Sequence, residues 1–148
     1  PIPGREEYLD SEKYEIRAYD FDRPGNIKDH IRALNRIRRT NAALQDFRGF
    51  LPLLSTNDQV LVYARHTPEW DNCIIVLVNL DPYNRQATQY EIPLWKFELP
   101  DWAAIEAEDL LNGNRFTLHG KTHTIAIEPA LGPVAIWKLL PPSWRAQA

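Results

Sequence analysis

The alternation of apolar and polar positions divides the chain near residue 50. Before residue 25 no period is sustained. Charges are scattered there through Arg5, Glu6, Glu7, Asp10, Glu12, Lys13, Glu15 and Arg17, as in loop. After Pro24-Gly25-Asn26, the residues Ile27, Ile31, Leu34 and Ile37 recur every three or four positions, along one face of a helix. Asn26 is placed as the N-cap, with Asp29 completing a capping box with a shorter acid. Lys28, Arg32, Arg36 and Arg39 fall on the other faces, and the basic last turn suits the helix dipole. The helix is expected to fade near Asn41, with Leu44 still packing below it.

Beyond Gly49 the period becomes that of strands. Val60–Ala64 is β-rich, and the unbroken apolar run Ile74–Leu80 predicts a strand buried on both faces. Gln86–Ile92 alternates more weakly after a turn at Asp81-Pro82-Tyr83-Asn84. Glu108–Leu111 and Arg115–Leu118, joined through Asn112-Gly113-Asn114, predict a hairpin, because Asn-Gly favours tight two-residue turns. Thr122–Ile127 and Val134–Leu139 complete the set. Six or seven short strands punctuated by turns, with no helix between them, predict an antiparallel β-sandwich. A lone amphipathic helix must bury its stripe. Either the sandwich covers it, or it is the last helix of an α/β domain lying upstream.

Composition narrows the function classes. The chain has 148 residues, an apolar share of 44% and a net charge of −3. That is enough core for one domain, or one domain and a fragment, without the basic field of a nucleic-acid or membrane-surface protein. No apolar run reaches the length of a membrane span. The single cysteine, Cys73, fits a reducing compartment and points to the cytoplasm. The start at Pro1-Ile2-Pro3-Gly4, without Met, reads as a piece cut from something longer.

Several constellations have a chemical reading and a plainer one. Asp20 and Asp22 could share a face as paired carboxylates, but with Arg23 they are read as turn builders ahead of the helix. Arg36, Arg38 and Arg39 are read as a solvated helix face, not a phosphate patch. His119 and His123 have a zinc-like spacing, yet Gly120 interrupts them and no cysteine or third histidine accompanies them, so no metal site is expected. Cys73 is read as a buried inert thiol. Trp137 is placed in the core, whereas Trp70, Trp95 and Trp102 are candidate sugar-stacking platforms that could equally cover edges or meet another domain.

The segments Glu6-Glu7-Tyr8-Leu9-Asp10-Ser11-Glu12-Lys13-Tyr14-Glu15-Ile16, Asp20-Phe21-Asp22-Arg23-Pro24-Gly25-Asn26-Ile27 and Leu34-Asn35-Arg36-Ile37-Arg38-Arg39 resemble the α-1,4-glucan:maltose-1-phosphate maltosyltransferases of the α-amylase superfamily. The likeness continues through Val76-Leu77-Val78-Asn79-Leu80-Asp81-Pro82 and Asp109-Leu110-Leu111-Asn112-Gly113. It implies a mainly β chain: a C-terminal antiparallel β-sandwich over residues 50–148, preceded over residues 1–49 by the last loop and helix of a truncated (β/α)₈ barrel. It also implies a parent enzyme that moves maltosyl units from maltose 1-phosphate to α-1,4-glucan with retention. Retention needs two carboxyl groups roughly 5–5.5 Å apart. The resemblance assigns those groups to earlier barrel strands, so no catalytic residue is expected here and the chain alone is expected to be inactive. It assigns donor contact to Lys13 and Tyr14. The implied partners are maltose 1-phosphate and α-1,4-glucan, with a tendency towards homodimers and no cofactor. The rival readings are another α-amylase-type glycosidase or transglycosidase, and a non-catalytic carbohydrate-binding β-domain.

Overall fold

The computed structural model describes residues 20–141, together with Gly4 and Ala18. In chain order its elements are α1 (Lys28–Thr40), β1 (Phe50–Pro52), β2 (Val60–His66), β3 (Cys73–Asn79) and β4 (Gln86–Glu91), followed by β5 (Ala104–Asp109), β6 (Arg115–His119), β7 (Thr122–Ile127) and β8 (Val134–Leu140). Single 3₁₀ turns lie at Ala42–Leu44 and Leu94–Phe97. One sheet has six strands in the order β1-β2-β3-β8-β5-β6, the other pairs β4 with β7, and every pairing is antiparallel. This is the mainly β sandwich that the strand pattern predicts.

Alternation within each strand builds two cores. Val60, Val62 and Ala64 of β2, Cys73, Ile75 and Leu77 of β3, and Trp137 and Leu139 of β8 meet Tyr90 and Ile127 of the smaller sheet. The opposite residues of the central strands, Ile74, Val76 and Ile136, face Ile37 of α1 and Ala43 of the following 3₁₀ turn. Strand β3 is therefore buried on both faces, as its unbroken apolar run implies. Leu44 packs on that second core, beneath the helix.

The helix covers the sheet with its C-terminal half only. Ile37 is buried and Leu34 packs beside it, whereas Ile27 and Ile31 stay exposed. Two asparagines fix the end of the helix. Asn41 Nδ2 donates to the Ile37 carbonyl at 2.9 Å. Asn72, in the β2–β3 hairpin, donates to Asn41 Oδ1 at 3.2 Å and accepts the Ala43 N–H at 2.9 Å. Helix end, 3₁₀ turn and hairpin are thus tied together by side-chain hydrogen bonds across a partly buried contact.

Three local expectations change. The N-cap is Ile27, not Asn26. Asn26 turns back, its Oδ1 accepting the Lys28 N–H at 3.1 Å and its Nδ2 donating to the Arg23 carbonyl at 2.8 Å. Asp29 pairs with Arg32 and makes no capping box. The strand expected at Glu108–Leu111 starts at Ala104, because Ile105 and Ala107 supply its buried face, and ends at Asp109; Leu110, whose N–H still bonds to the Ile136 carbonyl at 2.8 Å, and Leu111 pack on the second core. The Asn-Gly pair consequently sits in a longer loop. There the Asp109 carboxylate accepts from Leu111 N at 2.9 Å and Asn112 Nδ2 at 3.1 Å, and Gly113 adopts φ 80°. The short edge strand β1 has no apolar alternation to reveal it. It forms because Gly49 allows close approach: a Cβ there would lie 1.7 Å from the His66 carbonyl oxygen.

Candidate functional site

The loop entering α1 is built by its acids. Asp20 Oδ1 accepts the Asp22 N–H at 2.9 Å, and the Asp22 carboxylate pairs with Lys28 in the first helical turn. Both groups are turn builders in this arrangement. Between loop and helix lies a hollow of about 690 Å³ lined by Phe21, Arg23, Asn26, Ile27, Lys28 and Ile31. Lys13 and Tyr14, expected to touch a donor sugar, lie outside the described residues, as do Glu12, Glu15 and Trp144.

At the end of the sandwich where β3 finishes, a buried amide holds three segments. Asn79 Nδ2 donates to the carbonyls of Asn84 at 2.9 Å and Ile127 at 3.0 Å, and Asn79 Oδ1 accepts the Asp81 N–H at 2.9 Å. The Asp81 carboxylate then accepts from Tyr83 N at 2.9 Å, Asn84 N at 3.1 Å, Asn84 Nδ2 at 3.0 Å and Gln86 Nε2 at 2.9 Å. These bonds, led by the Tyr83 amide, hold its pKa at about 2. Sequence reading places a turn here but gives Asn79 no role. The usable signal is a polar Asn ending an apolar run just before Asp-Pro.

A depressed carboxylate stabilises the fold above its unfolded pKa of about 3.9. That contribution is lost as pH falls through the folded value of about 2. Asp81→Asn is therefore expected to melt below the wild type at pH 7, and the gap should narrow between about pH 4 and pH 2. Thermal scans across that range check it. A gap that stays constant with pH would show that the charge at Asp81 contributes nothing.

The opposite end of the sandwich carries aromatic and charged groups. Trp70, with φ 60°, stacks on His66 at 3.8 Å and meets the Phe97 edge at 5.9 Å, with Lys96 Nζ 5.4 Å from its ring centre. Trp70 is half-buried against the inner core, which removes it as an exposed platform. Nearby, Asp46 is paired by Arg48, whose hydrogen bond lowers its pKa to about 2, and a cleft of about 380 Å³ runs from Asp46 and Arg48 past Gly49 to His66 and Thr67. Lys121, in the β6–β7 turn, pairs with Asp101 at 3.2 Å and Glu91 at 3.8 Å. The Asp101 hydrogen bond is the main reason its pKa is raised.

The other singled-out residues fall into ordinary places. Trp137 is in the inner core. Cys73 is buried, and desolvation pushes its thiol up to about 12, which keeps it protonated and unreactive at neutral pH. Arg36, Arg38 and Arg39 are exposed on α1. His119 is exposed on β6, while the His123 ring nitrogen Nε2 lies 2.8 Å from the Gly120 carbonyl. Among the described residues no helix is long and apolar enough to cross a membrane.

Comparisons with known proteins agree with this layout. A family model described as "GLGE, C-terminal" matches residues 53–139. An α-1,4-glucan:maltose-1-phosphate maltosyltransferase of Cereibacter sphaeroides is 49% identical over 142 residues, covering 96% of this chain and 21% of that protein. One from Pseudomonas aeruginosa is 47% identical over 138 residues, covering 93% of this chain and 21% of that protein. The chain therefore spans about a fifth of the length of these curated relatives. Among solved structures, an α-amylase of Geobacillus thermoleovorans matches with a TM-score of 0.58 at 19% identity, over 83% of this chain and 25% of that one. A maltogenic α-amylase of Thermotoga neapolitana matches with 0.58 at 12% identity, over 82% and 28%. At such identities the likeness shows the fold alone. With most of its sandwich matched by the family model and nearly all of its length aligned to the named relatives, the chain belongs to the GLGE C-terminal family.

Proposed function

We propose that this chain is the C-terminal part of an α-1,4-glucan:maltose-1-phosphate maltosyltransferase acting in the cytoplasm, with residues 1–49 completing its catalytic barrel and residues 50–148 forming the sandwich. The observation that carries the reading is the 49% identity over 96% of the chain, which takes in the loop before α1 as well as the sandwich. The exposed stripe of Ile27 and Ile31, beside exposed Phe21, supports it, since a barrel wall would cover that surface. In this reading the loop before α1 stands at the site end of the barrel, because barrel enzymes build their sites from loops that follow strands. Lys13 and Tyr14 contact the donor maltosyl unit there. An ammonium donates to several hydroxyls, and a phenol offers both a ring face and a hydroxyl. The nucleophile and acid/base belong to the rest of the enzyme, the donor is maltose 1-phosphate, the acceptor is α-1,4-glucan, and the assembly is a homodimer.

The enzyme carrying this chain is expected to release phosphate from maltose 1-phosphate in the presence of a maltooligosaccharide, whereas residues 1–148 alone release none. Absence of release by the whole enzyme overturns the assignment, and release that requires no phosphorylated donor moves it to another α-amylase-type transglycosidase. Lys13→Ala removes a charged hydrogen bond worth about 1.5–3 kcal/mol. It should therefore lower donor kcat/KM by roughly tenfold to a hundredfold. Unchanged kinetics would remove Lys13 from the site.

A further inference from the structure

The connection between β4 and β5, residues 92–103, is anchored along its length yet turns two tryptophans outward. Ile92, Leu94 and Phe97 are fully buried, and Ala103 is buried at its far end. Leu99 N bonds to the Leu94 carbonyl at 3.2 Å and Ala103 N to the Pro100 carbonyl at 2.9 Å. The β6–β7 turn clamps it from outside, with Gly120 N on the Ala103 carbonyl at 2.9 Å and Lys121 N on the Asp101 carbonyl at 2.8 Å. Against this fixed frame Trp102 is 82% exposed and Trp95 46% exposed. A loop held this firmly presents its indoles to solvent without further ordering, so the entropy lost on binding is small.

We propose that Trp102 and Trp95 form a secondary docking platform for α-1,4-glucan, with Asp101, Lys121 and Glu91 supplying the polar contacts. This rests on the functional reading above. Pyranose rings have an apolar C–H face that an indole covers, and rim hydroxyls that both donate and accept. The carboxylates of Asp101 and Glu91 accept, and the Lys121 ammonium held between them donates. A ligand without charge suits this set, whereas two carboxylates beside the platform oppose a polyphosphate strand. The loop that carries the platform is separate from the hollow that precedes α1: its Phe97 meets Trp70 of the β2–β3 hairpin, to which the far end of α1 is bonded, and α1 alone spans roughly 20 Å. Its role would be to hold a long acceptor chain near the enzyme.

The test uses residues 1–148 in native gels with and without glycogen, backed by calorimetric titration with maltoheptaose. Wild type should be retarded by glycogen. Trp102→Ala should weaken binding at least about tenfold, as expected for a central aromatic contact, and Trp102→Phe should keep most of it. Trp95→Ala should weaken it less. Leu131→Ala, on the β7–β8 loop at the opposite end of the sandwich, should bind as wild type. An unretarded wild type, or Trp102→Ala binding with wild-type affinity and an unchanged melting temperature, overturns the platform. If the whole enzyme fails to release phosphate while glycogen retention still depends on Trp102, the functional reading falls and the platform stands.

Discussion

Replacing Trp137 by Ala is expected to lower the unfolding free energy by about 3–5 kcal/mol, the range for truncating a buried aromatic. Trp137 stands on β8 with Ile75 of β3 on one side and Asp109 of β5 on the other, near the middle of the larger sheet. Its ring meets the Phe116 edge at 5.1 Å and reaches Tyr90 of the smaller sheet at 6.2 Å. It therefore bridges the two sheets, and its loss leaves a void that neither β-sheet can close without breaking register. A loss of this size is a large share of the 5–15 kcal/mol that holds most domains folded. Urea unfolding of the two proteins at pH 7 measures it. A difference below about 1 kcal/mol would mean that the gap between the sheets collapses freely.

The second large effect is at Asn79, and it separates a hydrogen-bonding role from a space-filling one. Asn79→Leu keeps the branched shape, with somewhat more bulk, but strands the Ile127 and Asn84 carbonyls and the Asp81 N–H. At about 1–3 kcal/mol for each buried group left unsatisfied, after partial relaxation, the expected loss is about 2–4 kcal/mol. Asn79→Asp is closer still in shape, yet it should be worse at neutral pH. A carboxylate cannot donate to either carbonyl, and it places a charge beside two acceptors. The deficit of the Asp variant should shrink in acid, where a protonated carboxyl donates once. If Asp is tolerated better than Leu at pH 7, Asn79 acts through size and its amide does not hold the three segments together.

The parts of this fold legible in the sequence are those fixed by period. Ile74–Leu80 announces a strand covered on both sides, and Thr122–Ile127 and Val134–Leu139 match β7 and β8 almost residue for residue. Turn-rich boundaries around Pro24 and Asp81 are equally visible. Contacts between segments distant in sequence are not. β1 exists because Gly49 lets its chain approach His66, and no local pattern encodes that. Leu110 and Leu111 mislead because apolar residues in a loop can serve a core as well as those in a strand. The three loop tryptophans look alike in sequence, and only packing separates half-buried Trp70 from exposed Trp95 and Trp102. Of the candidate site, Lys13 and Tyr14 come from the resemblance, since no period or spacing singles them out.

The Asn41–Asn72 junction has a consequence for how members of this family can exchange parts. The change of pattern near residue 50 invites a chimaera in which one sandwich is grafted after the helix of another family member. Yet the outer face of the recipient sheet is completed by Ile37 and Ala43, and the hairpin's Asn72 is matched to Asn41. A graft joined at residue 50 would mate two surfaces with separate ancestries. The unit that packs as one is larger than the β-sandwich: it begins inside α1, near Leu34, so a working crossover is expected upstream of that residue.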